Sequence, residues 1–220
     1  MQIENCKLKI VATLLCLVTS ATAAQAQTQS PAKPSQQDVP LTEKEVVVRV
    51  TAAVDRSLEY LASKQKPDGS WHNNNAVNAL ALLAFMGRGH VPGRGQYRDV
   101  VERGKRFLLV SAQPTGFVSF STMYEHGLAT LALAEMYGMD PDPDLEAKLR
   151  KAVELIVKTQ SPVGGWRYNP APADADLSVT VMQIVALRAA NNAEIPVPTQ
   201  TIEKAIAYVR SCAYAGGGFG

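Results

Sequence analysis

The chain has 220 residues, of which 46% are hydrophobic and 19% are charged, and its net charge is +2. This composition lies outside the disordered range and supplies enough apolar side chains for a sizeable core. The small net charge, without a basic cluster, argues against a nucleic-acid partner.

Residues 1–26 have the three parts of a secretory signal. Lys7 and Lys9 precede a short apolar run over residues 10–18, and Ala24-Gln25-Ala26 has small residues at the first and third positions, as a cleavage site requires. The apolar run is too short to span a bilayer. We therefore expect an exported protein, periplasmic or secreted, whose mature chain has no transmembrane segment.

Three further features follow the predicted signal. Cys212 would be the single cysteine of the mature chain, so no internal disulfide is expected. Residues 27–41 are rich in Gln, Ser and Pro without a hydrophobic period, which predicts a flexible linker. From Thr42, a capping box with Glu45 precedes apolar residues at helical spacing and predicts an amphipathic helix over residues 42–64.

A loop pattern, Gln-x-x-x-Gly-x-Trp, recurs after the ends of predicted helices. Its two complete copies consist of Gln65, Gly69 and Trp71, and of Gln160, Gly164 and Trp166. Weaker copies are anchored at Gln113 and Ala213, so that the four anchors lie 48, 47 and 53 residues apart. This period accommodates two helices and two loops, which predicts a repeat of helical hairpins.

A second pattern has the same period: an Ala-Leu pair, then Gly or Asn five residues after the Leu, then Pro. The Gly or Asn positions are Gly87, Gly138 and Asn192. Because these residues tolerate the left-handed conformation, and the Pro prevents the helix from resuming, each is expected to end a helix in that conformation.

The predicted helices are of two kinds. Helices such as residues 145–159 are amphipathic and charged, whereas those over residues 76–86, 128–136 and 179–190 are almost uniformly apolar. A helix that is apolar all round must be buried on every side. The pattern therefore predicts an inner layer of apolar helices enclosed by an outer layer.

At these loops the chain resembles the terpene cyclase and protein prenyltransferase superfamily, and squalene cyclase-like proteins with prenyltransferase and squalene oxidase repeats most of all. The resemblance covers residues 42–220 and implies an all-α fold, an α/α toroid, here an incomplete arc of about seven helices. The chain stops within a fourth loop, at Gly220, whereas toroids of this superfamily contain more helix pairs. We therefore hypothesise that it is a fragment of a longer protein.

Class II terpene cyclases start their reaction by protonating an alkene with an Asp-x-Asp-Asp-Thr motif. Asp174-Ala175-Asp176-Leu177-Ser178 resembles that motif, which implies Asp176 as the proton donor and Asp174 as its neighbour. Leu177 and Ser178 replace the third Asp and the Thr, which weakens the assignment. The alternative is that Asp176 or Ser178 caps the third inner helix.

Tyr124, Glu125 and His126 begin the second inner helix and form the other candidate site. The carboxyl and imidazole could act as acid and base, or the group could hold the polar end of a ligand. The alternative is that His126 has a structural role at the helix start. On the resemblance, Trp71 and Trp166 are architectural residues.

Prenyltransferases of the superfamily bind zinc through Asp, Cys and His. No His lies near Cys212 in the sequence, so we expect neither a metal nor another cofactor.

Cyclases also line their cavity with aromatic rings that stabilise carbocations. The inner helices of this chain contain few aromatic residues beyond Phe85, Tyr124 and Tyr137.

Two functions therefore stay open. The first is an exported toroid that binds an apolar small molecule, such as an isoprenoid or a lipid, or a peptide partner on its concave face. The second is a squalene–hopene type cyclase, an isomerase, with Asp176 as its acid. The altered acid motif and the sparse aromatic residues favour the first.

Overall fold

The computed structural model describes residues 42–219, so the predicted signal and linker, residues 1–26 and 27–41, lie outside the described residues. Within that range the chain is helical, apart from loops and two isolated β-bridges, and the predicted all-α class is confirmed. The helices are α1 (Glu43–Lys64), α2 (Asn75–Gly87), α3 (Arg98–Ser111), α4 (Met123–Met139), α5 (Pro143–Lys158), α6 (Leu177–Asn192) and α7 (Thr199–Ser211). None of these seven helices is both long enough and apolar enough to cross a bilayer.

The described residues divide into two units, residues 42–60 and residues 61–219, with the boundary inside α1. In the first unit, α1 begins with the predicted capping box. The Thr42 N–H donates to the Glu45 carboxylate at 2.9 Å, and the Glu45 N–H donates to the Thr42 hydroxyl at 3.4 Å. These reciprocal bonds satisfy backbone donors that the first turn of a helix leaves unpaired.

The second unit has two layers. Helix α4 packs between α2 and α6 to form an inner layer, and α3, α5 and α7 pack against these helices as an outer layer. The inner helices touch closely: a Cβ on Gly127 of α4 would lie 2.6 Å from the Gln183 side chain of α6. In the outer layer, Nζ of Lys105 in α3 donates a hydrogen bond of 3.1 Å to the carboxylate of Asp142, which caps the start of α5. These two layers fit the predicted α/α arc, in which the inner helices line the concave side.

The inner helices end where the sequence predicts, but by a different conformation. Gly87 and Asn192 are the last residues of α2 and α6, and Gly138 lies one residue before the end of α4. The prediction that these three residues are left-handed is wrong, because positive φ occurs at Gly89 (89°) and Glu194 (63°). After α2 and α6 the cap residue still donates to the last helical turn. The left-handed φ therefore occurs at the residue after the cap.

The four repeat loops share one backbone turn. In the first, the Lys66 N–H donates to the Ser70 carbonyl at 2.7 Å, and the Gly69 N–H donates to the Lys66 carbonyl at 3.0 Å. The same pair of bonds closes the other three loops. The loop glycines Gly69, Gly116, Gly164 and Gly217 have φ of 92°, 92°, 98° and 92°.

The second loop corrects the predicted register. Gln113 makes the bonds that Lys66 makes in the first loop, so Ala112, and not Gln113, takes the position of the motif glutamine. Two residues after the loop glycine, the buried Val118 takes the position of the tryptophan. The predicted anchor is therefore wrong by one residue, and this loop keeps the glycine of the motif without its glutamine or tryptophan.

The motif glutamines tie each loop to the next outer helix. Gln160 Nε2 donates to the Gly164 carbonyl at 2.7 Å and to the Thr201 carbonyl at 2.9 Å. Gln65 makes the equivalent bonds to its own loop glycine and to the Val100 carbonyl, both at 2.9 Å. Thr201 and Val100 lie in the first turns of α7 and α3, so one amide joins two successive elements.

The motif tryptophans cap the helix that precedes each loop. Trp166 is fully buried, and its Nε1 donates to the Ile156 carbonyl at 2.8 Å. Trp71 is half-buried and donates to the Leu61 carbonyl at 2.7 Å. Both carbonyls lie near the end of a helix, where intrahelical donors run out.

Candidate functional site

Asp176 is the N-cap residue of α6. Its Oδ1 accepts a hydrogen bond from the Ser178 hydroxyl at 2.6 Å and one from the Val179 N–H at 3.0 Å. The bond from Ser178 is the main cause of a lowered pKa at Asp176; burial opposes it, and the Val179 N–H adds to it. The carboxyl is therefore ionised at neutral pH.

Asp174, the second member of the acid-like motif, is exposed and pairs with Arg167. A carboxyl that donates a proton to an alkene must itself be protonated and shielded from water. The hydrogen bonds of Asp176 instead hold its carboxyl in the ionised form. They give Asp176 the helix-capping role considered as an alternative from the sequence, and its role as proton donor stays a prediction.

Glu125 is a buried carboxylate that the protein fully surrounds with donors. It accepts five hydrogen bonds, from the N–H groups of Asn75, Phe120 and Ser121 and the hydroxyls of Ser119 and Ser121. Burial acts to raise the pKa of Glu125, but the bonds, led by that from Ser119, outweigh it and the pKa is lowered. Asn75 begins α2, whose positive N-terminal end also favours an anion. Glu125 therefore joins α4, α2 and the second loop.

His126 is buried beside it and is neutral. Its Nδ1 accepts a hydrogen bond from the Val118 N–H at 3.0 Å, and its Nε2 lies 3.2 Å from the Ala152 carbonyl. Because a carbonyl can only accept, Nε2 carries the proton. Burial lowers the pKa of His126 to about 4. Both ring nitrogens are engaged within the protein, so a ligand would have to displace one of these bonds to reach the imidazole.

The position of His126 recurs in every inner helix, a pattern that the sequence analysis missed. The fourth helical residue accepts a hydrogen bond from the backbone N–H at the tryptophan position of the preceding loop. The acceptors are Asn78, His126 and Thr180, and the donors are Trp71, Val118 and Trp166. Each acceptor lies four residues after an N-cap residue, and that regular spacing of polar residues was the available signal.

The concave side of the inner layer presents a second candidate surface. Over residues 123–136 of α4, the half-buried side chains are Tyr124, Leu131 and Glu135. Their spacing of seven and four residues places them on one stripe of the helix. Leu80 of α2 and Val185 of α6 are exposed on the corresponding sides of their helices. These five residues form the inner face.

Of the five inner-face residues the sequence predicted only Tyr124, and the one carboxylate that it missed is Glu135. Burial raises the pKa of its carboxyl, opposite to the direction at Glu125 in the same helix. The signal was a single carboxylate in the second half of an otherwise apolar helix. Among residues 42–219, His, Cys, Asp and Glu form no cluster of three or more that could hold a metal ion.

Comparison with known proteins shows a distant similarity to an enzyme. The lanosterol synthase erg7A of Aspergillus fumigatus is 27% identical over 139 residues, which cover 53% of this chain and 17% of that enzyme. No known protein-family profile matches the chain. The chain thus matches less than a fifth of the length of this relative, and the similarity supports a distant squalene cyclase-like relationship at a level too low to specify an activity.

Proposed function

We propose that the protein binds an apolar small molecule, an isoprenoid or a lipid, on the inner face. The observation that carries this proposal is the exposure of apolar side chains there: Leu80 is 38% and Val185 is 37% exposed, beside the half-buried Tyr124 and Leu131. Covering apolar surface stabilises a complex by about 25 cal/mol per Å². Exposed apolar side chains on matching stripes of neighbouring helices are typical of a binding site.

The distant relative supports the chemical class of the ligand. Its name describes an enzyme that makes lanosterol, which is a sterol. A molecule of that kind, which is apolar apart from its hydroxyl, suits a surface of Leu and Val with one aromatic ring. Because the match covers only 17% of that enzyme, its reaction is not transferred to this chain.

The proposal is tested by equilibrium dialysis of the protein against radiolabelled geranylgeraniol, a C20 isoprenoid. Val185→Asp places a charge on the inner face and is expected to weaken binding at least tenfold. Val110→Asp is the matched control, because Val110 is 79% exposed on the outer helix α3, and it is expected to bind like the wild type. Absence of binding, or equal weakening by both variants, would overturn the proposal.

A class II cyclase of the squalene–hopene type is the second candidate. It is supported by the relative and by the resemblance of residues 174–178 to the acid motif, with Asp176 as proton donor and Asp174 as its neighbour. The lowered pKa of Asp176 stands against it. Incubation with squalene tests it: a cyclic product that is lost in Asp176→Asn supports the cyclase, and an unchanged product in that variant removes Asp176 as the acid.

Export of the protein is a further part of the proposal, and it rests on the sequence of residues 1–26 alone. Expression of the full chain in a bacterium, followed by fractionation and N-terminal sequencing, tests it. A periplasmic product that begins at Gln27 is expected. A cytoplasmic product that retains residues 1–26 would contradict export.

A further inference from the structure

Glu135 has an unusual position for a carboxylate. It lies half-buried on the inner face, four residues after Leu131 and seven after the buried Leu128 on the same stripe of α4. Within residues 42–219 its carboxyl forms neither a hydrogen bond nor an ion pair, and burial raises its pKa. Desolvation of a carboxylate without a compensating partner is unfavourable.

The contrast with Glu125 shows that the same helix can satisfy a buried carboxylate when the fold requires it. Glu125 receives five hydrogen bonds from the ends of α2 and the second loop. Glu135, ten residues further along α4, lies half-buried on the inner face, and no donor among residues 42–219 bonds to it.

The nearest candidate cation on α6 is turned away from this carboxyl. Arg188 lies seven residues after Val181, so both share one flank of α6. The residues at the corresponding places in α4 are Gly127 and Ala134, and Gly127 faces the following inner helix, α6. By the same geometry, Arg188 and Val181 point away from α4.

We infer that the ligand of the inner face is an amphiphile whose head group, a hydroxyl or an ammonium, donates a hydrogen bond to Glu135 while its apolar tail lies along Leu131 toward Tyr124. This inference rests on the proposed function and narrows its ligand class. Glu135 and Tyr124 are separated by eleven residues of helix, or about 16 Å at 1.5 Å per residue, a length that an isoprenoid tail of several units can follow. A head-group donor would compensate the desolvation of the carboxyl.

The test compares three C20 probes in equilibrium dialysis against the full chain: geranylgeraniol, its methyl ether and geranylgeranylamine. The ether keeps the tail and the oxygen but lacks the donor. Wild-type protein is expected to bind the alcohol or the amine roughly tenfold more tightly than the ether, as one hydrogen bond to a charged group provides. Tighter binding of the amine assigns an ammonium head, and tighter binding of the alcohol assigns a hydroxyl.

The decisive variant is Glu135→Leu, which removes the carboxyl and suits a half-buried apolar surface, so the fold is expected to persist. It should no longer bind the alcohol or the amine more tightly than the ether, because no carboxylate accepts the head-group hydrogen bond. Glu203→Leu, at an exposed position of the outer helix α7, is the matched control and should keep the preference of the wild type. Equal binding of the three probes by wild type, or a preference that survives in Glu135→Leu, would overturn the inference.

The outcomes separate this inference from the proposed function. If all probes bind equally and Val185→Asp weakens them all, the inner face binds apolar molecules and only the role of Glu135 is wrong. If no probe binds the wild type, the proposed function fails as well.

Discussion

A Cβ placed on Gly164 would lie 2.4 Å from the backbone oxygen of Lys204, in the outer helix of the next repeat. The loop glycines of the first and second repeats face the backbone oxygens of Arg103 and Lys151 in the same way, each at 2.3 Å. Gly164 also has a φ of 98°, which side chains disfavour. Glycine is therefore needed at this position both for the turn and for the close approach of the next helix.

Gly164→Ala is expected to destabilise the fold more than Gly217→Ala. Gly217 has nearly the same φ, 92°, but a Cβ there would meet no atom within 4 Å. Both variants introduce the left-handed strain of about 1–2 kcal/mol, and only Gly164→Ala adds a clash with backbone. We expect a loss in the free energy of unfolding of about 3 kcal/mol or more for Gly164→Ala, measured by urea unfolding.

The Gly217→Ala variant is the control for strain alone. Equal losses for the two variants would mean that the backbone at Lys204 shifts at little energetic cost. The close contact would then not explain why glycine is needed at Gly164.

The loop motif also shows how far the sequence predicts the fold. Where Gln, Gly and Trp are all present, as at Gln160 and Trp166, spacing alone locates the loop, because each residue has its own contact. In the second loop Ala112 and Val118 make no such polar side-chain contact, so only the backbone turn defines the register. A neighbouring Gln113 then gave an anchor that was wrong by one residue.

His126 is expected to make the protein acid-sensitive. Its pKa is about 4 in the folded state, because the ring is buried, and about 6.5 in an unfolded chain. As the pH falls below 6.5, the unfolded state binds a proton that the native state does not, so stability decreases until the pH approaches 4. The free energy of unfolding is expected to fall by about 2 kcal/mol from this group between about pH 7.5 and about pH 5.

His126→Asn isolates this effect. Asn78 occupies the equivalent position in the first repeat and accepts the equivalent backbone hydrogen bond, so asparagine suits the site without a titrating group. Urea unfolding across the pH range should show a shallower acid dependence in His126→Asn. An identical pH dependence in the two proteins would exclude His126 as its cause.

The candidate sites were harder to predict than the fold, because their partners are distant in the chain. Glu125 accepts a hydrogen bond from Asn75, fifty residues earlier, and nothing local in the sequence indicates that pairing. The sequence placed Tyr124, Glu125 and His126 together as neighbours in one helix turn. The structure turns Tyr124 toward the inner face and buries the other two, and this difference follows from the side of α4 that each residue occupies.

Asp176→Ala is expected to destabilise the protein by about 1 kcal/mol, because it removes the N-cap of α6. Asp174→Ala removes only an exposed pair with Arg167, and its effect should stay within about 0.5 kcal/mol. Asp176→Asn should keep wild-type stability, since asparagine caps helices as well as aspartate. Thermal unfolding of the three variants checks this order, and a loss in Asp174→Ala as large as that in Asp176→Ala would contradict it.

Trp166→Phe is expected to cost more stability than Trp71→Phe. The indole of Trp166 is fully buried and donates to the Ile156 carbonyl. Phenylalanine leaves that carbonyl, away from water, with only the 3.3 Å bond from the Thr159 hydroxyl, at a cost of about 1–2 kcal/mol. Trp71 is half-buried where it donates to Leu61, and water can replace part of that bond. Urea unfolding followed by far-UV circular dichroism measures both, because each substitution removes a fluorophore. An equal loss of stability in Trp71→Phe would contradict this prediction, because it would mean that burial of the accepting carbonyl does not set the cost.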